Sequence, residues 1–434
     1  MKKILIISYY YPPANFVGAE RVVSFANHLH KFGIYPIIVT RNWNPKQTNT
    51  YDEVIVNKFR HTIYDTHEEY YMPYNRSWRD KLFQKNTFMY RKLRQTLTVL
   101  ELFFSAFFMR VLPYYNLYTQ ARKVLEHDKE ISAILISGSP FESFQFGYKL
   151  KKKFPHIHWI PSYRDEWTSF KQHPDTNKLH DLLFWFNTFF EKKFTSNATF
   201  FMSVADYWVE SIGKHINKSG IVVANGIRSI DGIREQSTNT EESRKDFTII
   251  YSGTIYPNQS FAPLASLMSR LIKRYTDQMN IVFNIYGVSS DSSMREKILK
   301  DFSNYSFQPN VFERIPVHDL HNKLIQADLL YITPYTNLSG FIPVKVFDYF
   351  EVERYMLFFP SDRGEIHKFI KSTHSGLAIE SEDECFTAIS GLIDLKLIGS
   401  PYPINQNKEN AWFYTREHQV SKLADKIKSL PPLF

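Results

Sequence analysis

Residues 339–350 read Ser-Gly-Phe-Ile-Pro-Val-Lys-Val-Phe-Asp-Tyr-Phe. Ser339 and Gly340 make a small, flexible approach to Pro343, whose ring suits the first position of a helix because its φ is already helical. The first-turn N–H groups of such a helix have no intrahelical acceptors and, with the helix dipole, favour an anion. Lys345 adds a full positive charge to that turn, and Asp348, three residues on, shares its face. A cation at a helix start opposes the dipole, so its placement is better explained by an anion lying in front of it. A carboxylate one turn deeper can accept hydrogen bonds from vicinal hydroxyls such as those of a ribose. Lysine for diphosphate and carboxylate for ribose describe a nucleotide-sugar site. The competing reading is an ordinary amphipathic helix with one salt-bridged lysine.

Outward from this stretch the chain alternates short apolar runs with helical patterns, as parallel sheets require. Strands are expected at 4–8, 36–40, 133–137, 158–162, 199–204 and 220–224, with helices at 19–32, 142–154, 181–195 and 206–216. Residues 229–246 are polar and read as a linker. A second series then gives strands at 247–251, 281–286, 311–313, 329–333 and 355–359, and helices at 261–275, 293–304, 318–326 and 343–352. A long terminal helix is expected over 412–430. Two consecutive Rossmann-like halves result, 1–228 and 247–411. Ligands of such sheets bind beyond the carboxyl ends of the strands, which here would face one another across a cleft.

At 434 residues the chain exceeds one ordinary core. Its 43% hydrophobic and 16% aromatic content excludes general disorder. Cys385 is the only cysteine, so neither an internal disulfide nor a cysteine-based zinc site is available, which suits the cytoplasm. The opening apolar run is too short for a signal peptide, and no stretch reaches the roughly 20 apolar residues of a membrane span. Residues 1–228 hold 31 Lys+Arg against 19 Asp+Glu, whereas the remainder holds 22 against 25. The excess concentrates in 76–123, with ten basic and two acidic residues. That segment mixes its charges with Phe103, Phe104, Phe107, Phe108, Tyr114 and Tyr115. It reads either as a helical pair at an anionic membrane surface or as an insertion packed on its own domain. No nucleic-acid-binding motif accompanies it. Asp-x-Asp, P-loop, Gly-x-Ser-x-Gly and His-Glu-x-x-His motifs are all missing, so a metal-chelated donor is not expected.

Three more loops follow strands. Residues 8–21, Ser-Tyr-Tyr-Tyr-Pro-Pro-Ala-Asn-Phe-Val-Gly-Ala-Glu-Arg, put Gly18 and Arg21 at a helix start, where the backbone can approach a phosphate or sugar. Residues 137–141, Ser-Gly-Ser-Pro-Phe, contain Pro140, and 163–168, Tyr-Arg-Asp-Glu-Trp-Thr, supply Arg164 for an anionic acceptor group and Asp165 for a hydroxyl. A structural Arg–Asp pair is the alternative. In the second half, Ser252-Gly253-Thr254 ends a strand and Val317-His318 precedes a helix.

Taken together these segments resemble GT-B glycosyltransferases of the family 4 type. There a loop, Pro-x-Lys, an acid and an aromatic open a helix of the C-terminal domain, as 339–350 do. The Pro-Pro, Gly and Arg of 8–21, the Ser-Pro of 137–141, the Arg-Asp-x-Trp of 164–167 and the Asn225-Gly226 exit also match. The resemblance implies an α/β GT-B fold of two Rossmann-like domains, with the 412–434 helix crossing back to the first. It implies a metal-independent, retaining transferase that moves a sugar from a UDP- or GDP-sugar to a lipid-linked surface glycan, peripheral at the inner face of the cytoplasmic membrane. Donor contacts would come from Lys345, Asp348, Gly253, Thr254, Val317, Gly340, Phe341 and Ile342. Arg164 and Asp165 would serve catalysis, and Gly18, Arg21 and Pro140 the acceptor and phosphate loop. The chain departs from the pattern at Gly340, where an acid is frequent, at Asp348, where glutamate is usual, and after Gly253, where a basic residue is missing. A nucleotide-sugar 2-epimerase of the same fold and an inactive membrane-associated scaffold are the alternatives.

Overall fold

The computed structural model describes all residues except 15–16, 45–55, 57, 83–86, 170–177, 229, 231–245, 256–258, 289–291, 336–339, 341 and 434. The chain forms two compact units, one of Met1–Ala224 with Glu417–Phe434, the other of Asn225–Arg416.

The first unit runs β1 (Lys2–Ser8), α1 (Val17–His28), β2 (Ile34–Arg41), β3 (Arg60–Ile63), β4 (Glu68–Met72), α2 (Trp78–Lys81), α3 (Phe88–Phe107) and α4 (Tyr115–His127). It continues with β5 (Ile131–Ser137), α5 (Phe144–Lys153), β6 (His158–Ser162), α6 (Lys178–Thr195), β7 (Phe201–Ser203), α7 (Asp206–Ile216) and β8 (Gly220–Val222). The sheet order is β3-β4-β2-β1-β5-β6-β7-β8, parallel except for the β3–β4 pair. β1 is apolar from Ile4 to Ile7 because both of its faces are covered, the mark of a central parallel strand. On α1 and the 3-10 turn that continues it, Val22, Phe25, Ala26 and Leu29 recur at helical spacing and pack on Ile4, Ile6 and Ile38.

The second unit contains β9 (Asp246–Ser252), α8 (Ala262–Tyr275), β10 (Asn280–Tyr286), α9 (Ser292–Phe302), β11 (Asn310–Phe312), α10 (Val317–Ile325), β12 (Leu329–Ile332) and α11 (Val344–Glu351). Then come β13 (Tyr355–Phe358), α12 (Glu365–Thr373), β14 (Gly376–Ala378), α13 (Glu382–Leu397) and α14 (Lys408–Trp412). Its sheet is entirely parallel, ordered β11-β10-β9-β12-β13-β14. The strand order therefore reverses between β1 and β5 in one sheet and between β9 and β12 in the other. These are the positions where loops diverge and ligands of such sheets bind.

The single terminal helix expected over 412–430 is two helices, α14 and α15 (Arg416–Lys428). Ile227 draws the intervening backbone into a bridge: its N–H donates to the Tyr414 carbonyl at 2.9 Å, and Arg416 N–H donates to its carbonyl at 3.0 Å. That pairing leaves 413–415 unable to stay helical. Beyond it, Val420, Leu423, Ala424 and Ile427 join the core of the first unit. Each large aliphatic buried there contributes about 1.5–3 kcal/mol. The unit boundary also falls at 224/225, not after 228, because Ile227 is buried in the second unit's core. The stretch read as a linker lies almost wholly outside the described residues.

Candidate functional site

In the second unit, β9 delivers Tyr251, Ser252 and Gly253 to the switch point, and β10 delivers Gly287 beside them. Gly253 and Gly287 have φ of 101° and 98°, a region that favours glycine. A Cβ on Gly287 would lie 3.2 Å from Gly253 Cα, so the two turns touch through bare backbone. Pro343 caps α11 instead of opening it, which makes Lys345 the second helical residue. Lys345 Nζ donates to the Tyr251 hydroxyl at 2.6 Å and lies 3.9 Å from the ring centroid. A Cβ on Gly253 would stand 3.5 Å from the same nitrogen. Burial of the amine end pushes the lysine down to about 7. Among the described residues no carboxylate pairs with it. The Ser252 N–H donates to the Tyr349 hydroxyl at 2.7 Å, tying β9 to α11.

Asp348 is not an open acceptor. Arg228 Nη2 donates to its Oδ1 at 2.5 Å, while Nε of the same arginine reaches buried Glu351 at 3.0 Å. The Arg228 backbone N–H also donates to Glu351. One arginine just past the Asn225-Gly226 turn thus holds two carboxylates of α11. Gly340 has φ of 101°, a conformation that an acid there would adopt only under strain. Thr254 is exposed directly after Gly253, and Ile342 packs on the core beneath α11. Val317 is the first residue of α10. Phe341 lies outside the described residues.

In the first unit, Gly18, Arg21 and Arg164 come together. Arg164 Nη1 stands 1.7 Å from where a Gly18 Cβ would be, so the glycine leaves room for the guanidinium. Arg21 is 5% exposed. Asp165 is 61% exposed and 3.9 Å from Arg164, too far for a strong pair. Phe141 stacks on Trp167 at 5.3 Å, joining the loop of Pro140 to the loop of Arg164. Behind them, Thr168 hydrogen-bonds to buried Glu191 and lies 2.9 Å from His215 Nε2, which anchors the second loop to α6 and α7.

Sequence reasoning missed Tyr251, Gly287, Arg228 and Glu351. Gly287 carried a usable signal, a glycine immediately after an apolar strand. The others did not, because their roles come from partners far away in the chain. Among the described residues no cluster of three His, Cys, Asp or Glu side chains could hold a metal, and no helix is long and apolar enough to cross a membrane.

No family model and no curated protein matches the chain. Solved structures do. An alpha,alpha-trehalose-phosphate synthase (UDP-forming) from Burkholderia vietnamiensis is 10% identical with a TM-score of 0.62, covering 99% of this chain and 100% of its own. The E. coli trehalose-6-phosphate protein bound with UDP-2-fluoro glucose is 10% identical with a TM-score of 0.60, over 99% and 100%. The Anabaena protein HepE in complex with UDP-glucose is 10% identical with a TM-score of 0.57, over 99% and 100%. The fold is that of GT-B glycosyltransferases, with two Rossmann-like parallel sheets.

Proposed function

We propose that the chain is a glycosyltransferase that takes a sugar from a nucleotide-sugar donor. The observation that carries this reading is Lys345: a lysine with no carboxylate partner among the described residues, at a helix start, against the bare backbone of Gly253 at the sheet's switch point. A donor diphosphate in front of it would gain the lysine's charge and the amides of the first turn of α11. UDP-sugars in structures of the same fold support this donor class over others.

Gly253, Thr254 and Gly340 would admit the diphosphate, and Asp348, oriented by Arg228, would accept from the ribose. Ile342 and Val317 would flank the nucleoside. In the family 4 reading the sugar is transferred with retention, the leaving diphosphate helping to deprotonate the acceptor on the donor's own face. The same reading is of a metal-independent enzyme. The protein then contributes orientation and charge stabilisation. Arg164 and Asp165 would orient the acceptor, with Gly18, Arg21 and Pro140 beside them.

A lipid-linked acceptor at an anionic membrane surface is the favoured partner. Exposed Phe103, Phe104, Phe107 and Phe108 of α3 and its end continue onto exposed Leu182, Trp185 and Phe189 of α6, and Phe103 stacks on Phe186 at 5.4 Å. Arg91, Lys92 and Arg94 stand on the same long helix, and basic residues beside exposed aromatics suit an anionic interface.

The test is a thermal-shift screen of UDP-, GDP- and ADP-sugars on wild-type protein and Lys345→Ala. One nucleotide should raise the melting temperature of the wild type and not of the variant. A shift of the same size in both would refute the donor site.

A further inference from the structure

Of the 20 residues of α3 only Ser105 is buried. Met89, Leu93, Leu97, Leu100 and Phe104 recur at helical spacing, and all but half-buried Leu97 are exposed. At about 100° per residue, Ser105 stands roughly 120° round from the middle of that stripe. The side of α3 that meets the domain is therefore not its apolar side. What holds the helix is its C-terminal end. Glu101 pairs with Arg79 of α2 at 3.4 Å, Gln145 Nε2 donates to the Ala106 carbonyl at 2.5 Å, and the Phe107 ring meets Phe190 of α6 at 5.3 Å. Residues 88–100 have little of their own to keep them helical. The Thr87 side chain makes no capping hydrogen bond, and the first turn has no acid. Arg91 and Lys92 oppose the dipole there, Thr96, Thr98 and Val99 are β-branched, and no acid precedes Glu101 to form an i,i+4 pair.

A short helical segment with neither cap, ion pair nor burial is marginal in water. Its apolar stripe supplies the missing stabilisation once something covers it. The spacing of Leu93, Leu97, Leu100 and Phe104 would also seat a second copy of the chain, but charge decides between the two covers. On a like helix Arg91, Lys92 and Arg94 would meet only their own kind, since its single acid is held by Arg79, whereas anionic headgroups answer all three. The stripe also runs into the exposed aromatic face of α6. On the membrane reading above, on which the inference rests, we infer that residues 88–100 fold as α3 only against an anionic bilayer. The tethered end, 101–107, is the nucleus, so the cost of a first turn is met before lipid is reached. Attachment is then coupled to folding, and depends on lipid charge and on how far the apolar side chains can enter.

The test is amide hydrogen exchange, read by mass spectrometry on the full chain alone and with vesicles of phosphatidylglycerol or phosphatidylcholine, beside sedimentation of the same mixtures. Without vesicles, 88–100 should exchange within about tenfold of an unstructured peptide, while β5 stays protected throughout. Phosphatidylglycerol should slow 88–100 by about 100-fold or more, and phosphatidylcholine by far less. Leu97→Pro should lose that slowing and most of the sedimentation, yet melt within about 2 °C of wild type, because the segment is not packed in water. Leu93→Gln with Leu100→Gln keeps good helix formers, removes the stripe and should do the same. Slow exchange of 88–100 without vesicles, or a Leu97→Pro protein that melts many degrees lower, would overturn the conditional helix even where phosphatidylglycerol still sediments the chain. Protection that grows with protein concentration alone would assign the stripe to a second copy and overturn it too. No sedimentation with either lipid would remove the membrane reading itself, and the inference with it.

Discussion

The ammonium group of Lys345 touches the Tyr251 hydroxyl at 2.6 Å while lying over that residue's ring at 3.9 Å. Neither contact neutralises the charge. The lysine stays a cation only at the cost of desolvation, which an incoming diphosphate would offset.

Its titration follows from that enclosure. The folded-state value of about 7 lies below the ordinary 10.5, so the unfolded chain binds more protons between these two pH values. The destabilisation is full below about pH 7 and is relieved as pH rises towards 10.5. Nucleotide binding runs the opposite way, because the anion needs the protonated lysine. Between pH 7.5 and 9 the dissociation constant should rise by up to about tenfold per pH unit. Lys345→Met should flatten that profile and weaken binding at pH 7 by roughly 10- to 100-fold. Isothermal titration across pH checks both.

Gly253→Ala should weaken nucleotide binding while keeping the fold. Alanine at φ of 101° is strained by about 1–3 kcal/mol, and its methyl would stand in van der Waals contact with the Lys345 amine end. A melting temperature a few degrees lower with a several-fold higher dissociation constant is expected. Unchanged binding would argue that the turn does not face the donor.

Arg228→Ala should cost roughly 2–4 kcal/mol, because it leaves the buried Glu351 carboxylate without its counter-charge, held only by the backbone N–H of residue 228. Arg228→Ala combined with Glu351→Gln should recover part of that loss in urea unfolding. Asp348→Asn should reduce nucleoside affinity with a much smaller effect on stability.

Acidic substitutions on the aromatic face should uncouple membrane binding from folding. Phe108→Glu with Trp185→Glu should lower sedimentation with phosphatidylglycerol vesicles several-fold and leave the melting temperature within about 2 °C, as both side chains are exposed. Equal sedimentation of variant and wild type would remove the membrane from the reading.

Local pattern made most elements legible. Alternation of apolar runs and amphipathic helices announced two parallel sheets, whereas α13 was passed over although Cys385, Ile389, Leu392 and Ile393 recur at helical spacing. The edge pair β3–β4 was not readable. β4 buries Glu69 against Tyr11, Tyr71 and His67, and a charged residue facing inward breaks the pattern by which strands are recognised. Gly18, Gly253 and Lys345 could be named as candidates because each sits in a segment that carries its own chemistry. The partner of Asp348, Arg228, lies 120 residues away and was beyond any local reading.

By itself, then, the sequence determined the class of fold, since burial periodicity is a local property written residue by residue. It also marked which loops end at strand termini. Only tertiary structure decided which charges are paired. Arg228 engages Asp348 and Glu351, whereas buried Arg21 has another cation, Arg164, as its charged neighbour. Coulomb energies depend on distance and enclosure, and neither is encoded in spacing along the chain.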